Sequence, residues 1–322
     1  YLSLNSIFTM MQTSNIQASG TTDLFHKYLN KKFLENLEPN LVFWKFGKGP
    51  VNQKWYSAVQ WARMSKSTAS ASSSIITEGT TPSFTDLDIS TISVSCTQYG
   101  QLAKITDILE DTTLLNVVGQ AMIELAHNAS RIMDEVVQSN LLTNWTNVIY
   151  AGSATSRATI AATDTMKTTQ INKARAFLST KGAKPFAGGY IGIMHPNVSY
   201  DMREQVGGNA WVEVKKYTDL VKDIVAGEIG TLMWVRIIES SFVKTVSSTV
   251  TVYPTFVFGE WAYGTSQLQA YETTFISRNN KDSYNPLGLF SIVGWKMAIA
   301  SIILQQDALV RIESASTLSY SW

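Results

Sequence analysis

Apolar side chains recur through Asp111–Asn144 with a spacing that a long helix satisfies. Val118, Met122, Leu125, Ala129, Ile132 and Val136 stand 4, 3, 4, 3 and 4 residues apart, which places them on one stripe. Gln120, Glu124, His127, Arg131, Asp134 and Gln138 fall on the opposite side. Asp111 offers an N-cap oxygen, and neither Pro nor Gly interrupts the run after Gly119. About thirty residues at 1.5 Å each make a rod of roughly 45 Å, far longer than an ordinary helix. A rod with one apolar side suits a strut along which other elements lie. The alternative is a long core helix of an α+β enzyme.

The 322 residues suffice for one large domain or two modest ones. Only 16% are charged and 45% are apolar, a low charge content for a globular chain. The net charge of +1 supplies no basic field of the kind that drives tight nucleic-acid binding. The single cysteine, Cys96, excludes an internal disulfide framework and reads as a small buried thiol. Tyr1 in place of an initiator Met implies a missing true start. The longest apolar run, Ser291–Leu304, carries Lys296 and falls short of a membrane span. With no basic leader or cleavage site at the N-terminus, a soluble intracellular product is expected.

Residues 1–22 read as a polar arm. Asp23 caps a short helix with Leu24, Tyr28, Leu34 and Leu37 at helical spacing, ended by Pro39. Strands are predicted at Val51–Met64 and Leu87–Tyr99, flanking Ser65–Ser74, a SKSTASASSS tip too small and polar to bury anything. Such a hairpin either floats in solvent or lies on another subunit. Trp55, Tyr56 and Trp61 beside the tip favour the second. Leu102, Ile105 and Ile108 lead into the long helix. Ala151–Thr165 reads as a linker between subdomains. Beyond it the pattern predicts a helix at Thr165–Ser179, a strand at Tyr190–Met194 and a short helix opened by Pro196. Further strands are predicted at Leu232–Ile238, Thr249–Phe258 and, singly or as a pair, Phe290–Ile312. No regular βαβ rhythm and no repeat emerge, so an α+β fold is expected.

Catalytic constellations are missing from the sequence. His26, His127 and His195 form no HExxH pair, and one cysteine cannot build a zinc site. His127 lies on the polar face of the long helix and reads as solvated. His195 precedes Pro196 at a strand end, where enzymes do place general bases, yet no GxSxG elbow accompanies it. Gly47-Lys48-Gly49 lacks phosphate-loop spacing, and Asp86/Asp88 and Asp134/Glu135 are not facing carboxylate pairs. Sequons at Asn128, Asn144 and Asn197 mean little without a secretory signal. No cofactor or metal is expected, and no enzymatic activity.

Eight blocks in order resemble the major capsid proteins of tailed bacteriophages with the Hong Kong 97-like fold. They are KKFLENLEPNLVFWKFGK (Lys31–Lys48), TEGTTP (Thr77–Pro82), QYGQLAKITDILE (Gln98–Glu110) and GYIGIMHPNVSYDM (Gly189–Met202). AGEIGTLMWVRIIES (Ala226–Ser240), FVFGEWAYG (Phe256–Gly264), NPLGLFSIVGWKM (Asn285–Met297) and LVRIE (Leu309–Glu313) complete them. Each block is weak alone, and their order over nearly the whole chain carries the resemblance.

The resemblance implies an N-terminal arm (1–50), an extended hairpin loop reaching a neighbour (51–99) and a peripheral domain with spine helix (100–164). An axial domain (165–271) and return strands to the peripheral domain (272–322) would follow. The tip at Ser65–Ser74 is more Ser/Ala-rich than the resemblance leads one to expect, and no motif identifies a Lys–Asn cross-link. The implied function is a structural head protein assembling through hexamers and pentamers into an icosahedral shell around double-stranded DNA. Its partners would be itself, a portal, a scaffold and decoration proteins, with weak DNA contacts and no membrane. It would reside in the virion after assembly in the host cytoplasm. The alternative is the shell of an encapsulin-like cellular nanocompartment. Interface candidates on the hairpin are Trp55, Tyr56, Trp61, Arg63 and Glu78.

Overall fold

The computed structural model describes residues 19–37, 41–50, 58–64, 75–76, 78–79, 89–113, 116–205, 228–280 and 284–318. In chain order the first elements are α1 (Ser19–Leu37), β1 (Ala58–Met64), β2 (Ile89–Ser95), β3 (Thr97–Thr106), α2 (Asp107–Thr112) and α3 (Val117–Asn144). Then come β4 (Val148–Tyr150), α4 (Thr168–Thr180), β5 (Tyr190–Met194), α5 (Pro196–Arg203), β6 (Glu228–Leu232) and β7 (Val235–Glu239). The chain closes with β8 (Val246–Ser247), β9 (Thr251–Phe258), β10 (Tyr263–Ile276), β11 (Phe290–Ile303) and β12 (Leu309–Ser314). Helices and strands do not alternate regularly, and the fold is α+β.

Two compact units share these elements. Tyr1–Leu41, Gln98–Met133 and Gln269–Ala298 make the first, and Val42–Thr97, Asp134–Leu268 and Ile299–Trp322 the second. The borders fall inside α3, β10 and β11. Ala151–Thr165, expected to be a linker, is instead packed within the second unit. Ile160 is buried with Val252 and Ala315, and Arg157 reaches Glu313. Small residues there allow close packing as readily as they allow flexibility.

In the first unit α1 buries Leu29, Phe33 and Leu37 at helical spacing. It starts before Asp23, which lies inside the helix rather than at its cap. Strands β10 and β11 flank each other in a three-stranded sheet of order β10-β11-β3. Close approach demands glycine at Gly294, where a Cβ would lie 2.3 Å from Leu102 Cδ2. The expected helix over Asp111–Asn144 is interrupted. α2 ends at Thr112, and α3 begins at Val117 with the Asn116 side chain accepting the Gly119 N–H at 2.9 Å. Asn116 therefore does the capping assigned to Asp111, which instead takes both guanidinium nitrogens of Arg278 at 2.8 Å.

The second unit is built on a sheet of order β4-β12-β9-β5-β7-β6, with β8 alongside β9. β5 and β7 are parallel, as are β12 and β4, and the remaining pairs are antiparallel. Every residue of β5 and β12 is buried, the mark of strands covered on both faces. Helix α4 packs against β9 and β12 through Ile171, Ala174 and Leu178, as the spacing predicted. Gly182, at φ 65°, stops it, with the Ala183 N–H returning to Leu178 O at 2.9 Å.

β12 was expected to return to the sheet of β11. It pairs instead with β9 and β4. Its buried Glu313 takes Arg157 Nε at 2.9 Å and lies 2.8 Å from Arg311 Nε, close enough for an ion pair though out of line for a hydrogen bond. Arg311 also donates to the Leu142 carbonyl at 2.7 Å. Burial works against the Arg311 charge, and Glu313 sustains it.

Candidate assembly surfaces

The hairpin base pairs β1 with β2 from Ala58↔Ser95 to Met64↔Ile89. Strand alternation turns Val59 and Trp61 inward, where they meet Leu304, Ile92, Val94, Ile302 and the half-buried Cys96. Trp61 is 2% exposed. Its indole N–H donates to the Lys48 carbonyl at 3.0 Å, and a Cβ on Gly264 would lie 2.6 Å from Trp61 Cε2. Trp61 thus anchors the hairpin on its own chain, which corrects the expectation that it reaches a neighbour. An aromatic beside a polar tip signals burial, and the sequence does not say in which subunit. Trp55, Tyr56 and the Ser65–Ser74 tip lie outside the described residues. Arg63 is exposed, with a long 3.5 Å contact to the Leu304 carbonyl. Glu78 is exposed in a turn with Gly79 at φ 80°. Ile75 and Ile76 beside it are exposed as well.

A second surface belongs to the first unit, where α2 meets the connector between β10 and β11. The Asp107 N–H donates to the Leu289 carbonyl at 3.0 Å. Asn285 pins the connector from within, donating to Phe290 O at 2.7 Å and accepting the Leu289 N–H at 2.8 Å. Arg278 with Asp111, and Ser291 with Glu110, tie the same ends together. This braced frame holds apolar side chains outward. Ile108, Leu287 and Tyr284 are each more than 70% exposed, with Leu109 and Leu289 beside them. Lys104 stands 3.8 Å above the Phe290 ring. Large apolar side chains held outward on a braced frame make this a candidate contact surface.

Two polar residues that the periodicity sets opposite the apolar stripe of α3 are buried. Asp134 is 1% exposed and accepts the Val42 and Trp44 N–H groups at 2.7 and 2.9 Å. Burial pushes its carboxyl up, and those N–H bonds pull the other way. Gln138, also 1% exposed, accepts from Lys244 N at 2.7 Å and donates to Phe242 O at 3.0 Å. One carboxylate and one carboxamide, one helical turn apart, therefore fasten two incoming segments to α3. Burial extends past the expected stripe because Ala126, Met133 and Val137 are buried while Ile132 and Val136 are partly open. The signal available was an acid and an amide spaced i,i+4 at the edge of an apolar stripe.

His195 caps α5. Its Nδ1 accepts the Asn197 N–H at 3.1 Å, Pro196 fills the first helical position, and the ring lies 5.0 Å from that of Tyr253. Burial lowers its pKa below the usual histidine value. Among the described residues no three His, Cys, Asp or Glu side chains converge as metal ligands, and no helix is long and apolar enough to cross a membrane.

No protein-family model and no curated protein matches the sequence. Solved structures do match in shape. The capsid of Ralstonia phage GP4 superposes with a TM-score of 0.68 at 15% identity, over 85% of this chain and 87% of that one. The capsid of cyanophage Pam1 gives 0.63 at 11% identity, over 83% and 87%. A virus-like particle from Pyrococcus furiosus gives 0.53 at 12% identity, over 89% and 99%.

Proposed function

From the Hong Kong 97-like capsid fold that this chain has, we propose that it is the major capsid protein of a tailed bacteriophage. It would assemble through hexamers and pentamers into an icosahedral shell enclosing double-stranded DNA. The observation that carries the reading is the shared shape with phage capsids over about 85% of the chain. The braced apolar patch of the first unit supports it, because many moderate interfaces multiply in a closed shell. Its work is association rather than turnover. In this reading 100–164 supplies the peripheral domain, 165–271 the axial domain and 51–99 the loop to a neighbour. Arg63 and Glu78 are contacts of that loop. A portal, a scaffold and decoration proteins are its partners, and assembly takes place in the host cytoplasm. The net charge of +1 suits a container that holds DNA without gripping it.

A shell of a cellular nanocompartment is the second reading, favoured by the match to nearly all of the Pyrococcus furiosus particle chain. Electron microscopy of the purified protein, paired with light scattering for mass, tests both. Closed shells, or free hexamers and pentamers, are expected. A strictly monomeric or dimeric species, persisting at high concentration with scaffold supplied, overturns the shell assignment. Nucleic acid inside native particles separates the phage head from the compartment.

A further inference from the structure

The β6–β7 hairpin turns through Met233 and Trp234 alone, since Leu232 pairs directly with Val235. Both residues are left-handed, at φ 49° and 67°. Two-residue hairpins need that conformation, and Asn or Gly adopts it with far less strain than Met or Trp. The strained turn presents the Trp234 indole 70% exposed. Its backbone is nevertheless locked. The Trp234 carbonyl accepts the Tyr190 N–H at 2.9 Å, and Gly189, at φ 124°, has no room for a Cβ, which would lie 2.2 Å from that oxygen.

Trp234 forms one wall of a cavity of about 400 Å³ lined also by Arg175, Ser179, Pro185 and Tyr190. The Tyr190 hydroxyl is committed to the Ala183 carbonyl at 3.0 Å. Arg175 is half-buried and makes no hydrogen bond or ion pair among the described residues. Two other basic residues of this stretch are matched: Lys184 with Glu260 at 2.6 Å and Lys181 with Asp307 at 3.4 Å. Between Asp164 and Asp201 every charged residue is basic. A cavity with one unmatched guanidinium and an open indole suits a carboxylate carried beside an apolar side chain.

The same chain displays such a group elsewhere. Between Lys66 and Lys104 every charged residue is acidic, namely Glu78, Asp86 and Asp88. Ile75 and Ile76 are 76% and 70% exposed, and Glu78 is exposed without a partner among the described residues. Among the described residues these groups stay open to solvent. We propose that the Arg175–Trp234 cavity of one copy receives Ile75, Ile76 and Glu78 of a second copy. The Glu78 carboxylate meets the Arg175 guanidinium, and an isoleucine covers the indole. This deepens the shell reading and rests on it.

A charge swap tests the pairing. Glu78→Arg and Arg175→Glu should each lower the yield of assembled particles about tenfold, a 1.4 kcal/mol effect. The double variant should recover most of it, with circular dichroism confirming that each variant folds. Single variants that assemble normally, or a double variant as deficient as either single, overturn the proposal. A second measurement does not depend on altering Arg175. In a Cys96→Ser background, Glu78→Cys with the exposed Ser179→Cys should give an intermolecular disulfide ladder in assembled particles. Particles without a ladder overturn the docking alone. A ladder that fails while Arg175→Glu still blocks assembly assigns the cavity to a different acid and also overturns it. A wild-type protein that never assembles overturns the shell reading together with the docking.

Discussion

His195 shows how one side chain can look catalytic and do structural work. Its Nδ1 accepts a helix N-terminal N–H, so the neutral ring is the capping form. Protonation would turn that acceptor into a donor facing another donor. Burial depresses its pKa in the folded state, so the unfolded chain binds the proton more readily and stability rises with pH here. The contribution is fully present above the ordinary value of 6.5. It is lost as pH falls from there through the depressed folded value. Replacing His195 with Asn, a residue that caps without titrating, should flatten that part of the pH–stability curve. The wild type should lose stability relative to the variant across that window, read from denaturant melts at stepped pH. Parallel curves for the two proteins would remove the capping account.

At the scale of elements, β12 is the strand most exposed to a single error. It lies between β9 and β4 with all six residues buried, and Glu313 pairs with both Arg157 and Arg311. Glu313→Gln keeps the shape and removes the charge, leaving a buried Arg311 uncompensated. Breaking such an arrangement costs about 3–5 kcal/mol, so the thermal midpoint should drop markedly. Replacing Arg157, which is partly exposed, should cost clearly less. Equal losses from both substitutions would show that burial does not set the cost.

For the whole molecule, the relevant property is which surfaces the fold leaves uncovered. The braced connector exposes Leu287 and Leu289 without using them in the core. Leu287→Ser combined with Leu289→Ser should leave monomer stability within about 0.5 kcal/mol. The same double variant should reduce the assembled fraction severalfold by light scattering. Unchanged assembly would remove this patch from the interfaces.

Periodicity made much of this architecture legible. The 4-3-4-3 pattern located α3, turn chemistry placed Pro196 at the start of α5, and β-branched runs marked β9, β11 and β12. These are local signals, set by a residue and its near neighbours. What escaped was decided by whatever packs against an element from far along the chain. Asp134 and Gln138 look solvent-facing until the segments at Val42–Trp44 and Phe242–Lys244 arrive to be bonded. Trp61 looks available to a neighbour until Lys48 and Gly264 close around it. Arg175, Trp234 and Tyr190 come from three separate stretches, and only the folded sheet brings them to one cavity. Sequence alone located most of the helices and strands and the α+β class. The tertiary structure decided which polar groups are buried and which aromatics are free, because burial depends on both contacting surfaces and a sequence pattern describes only one.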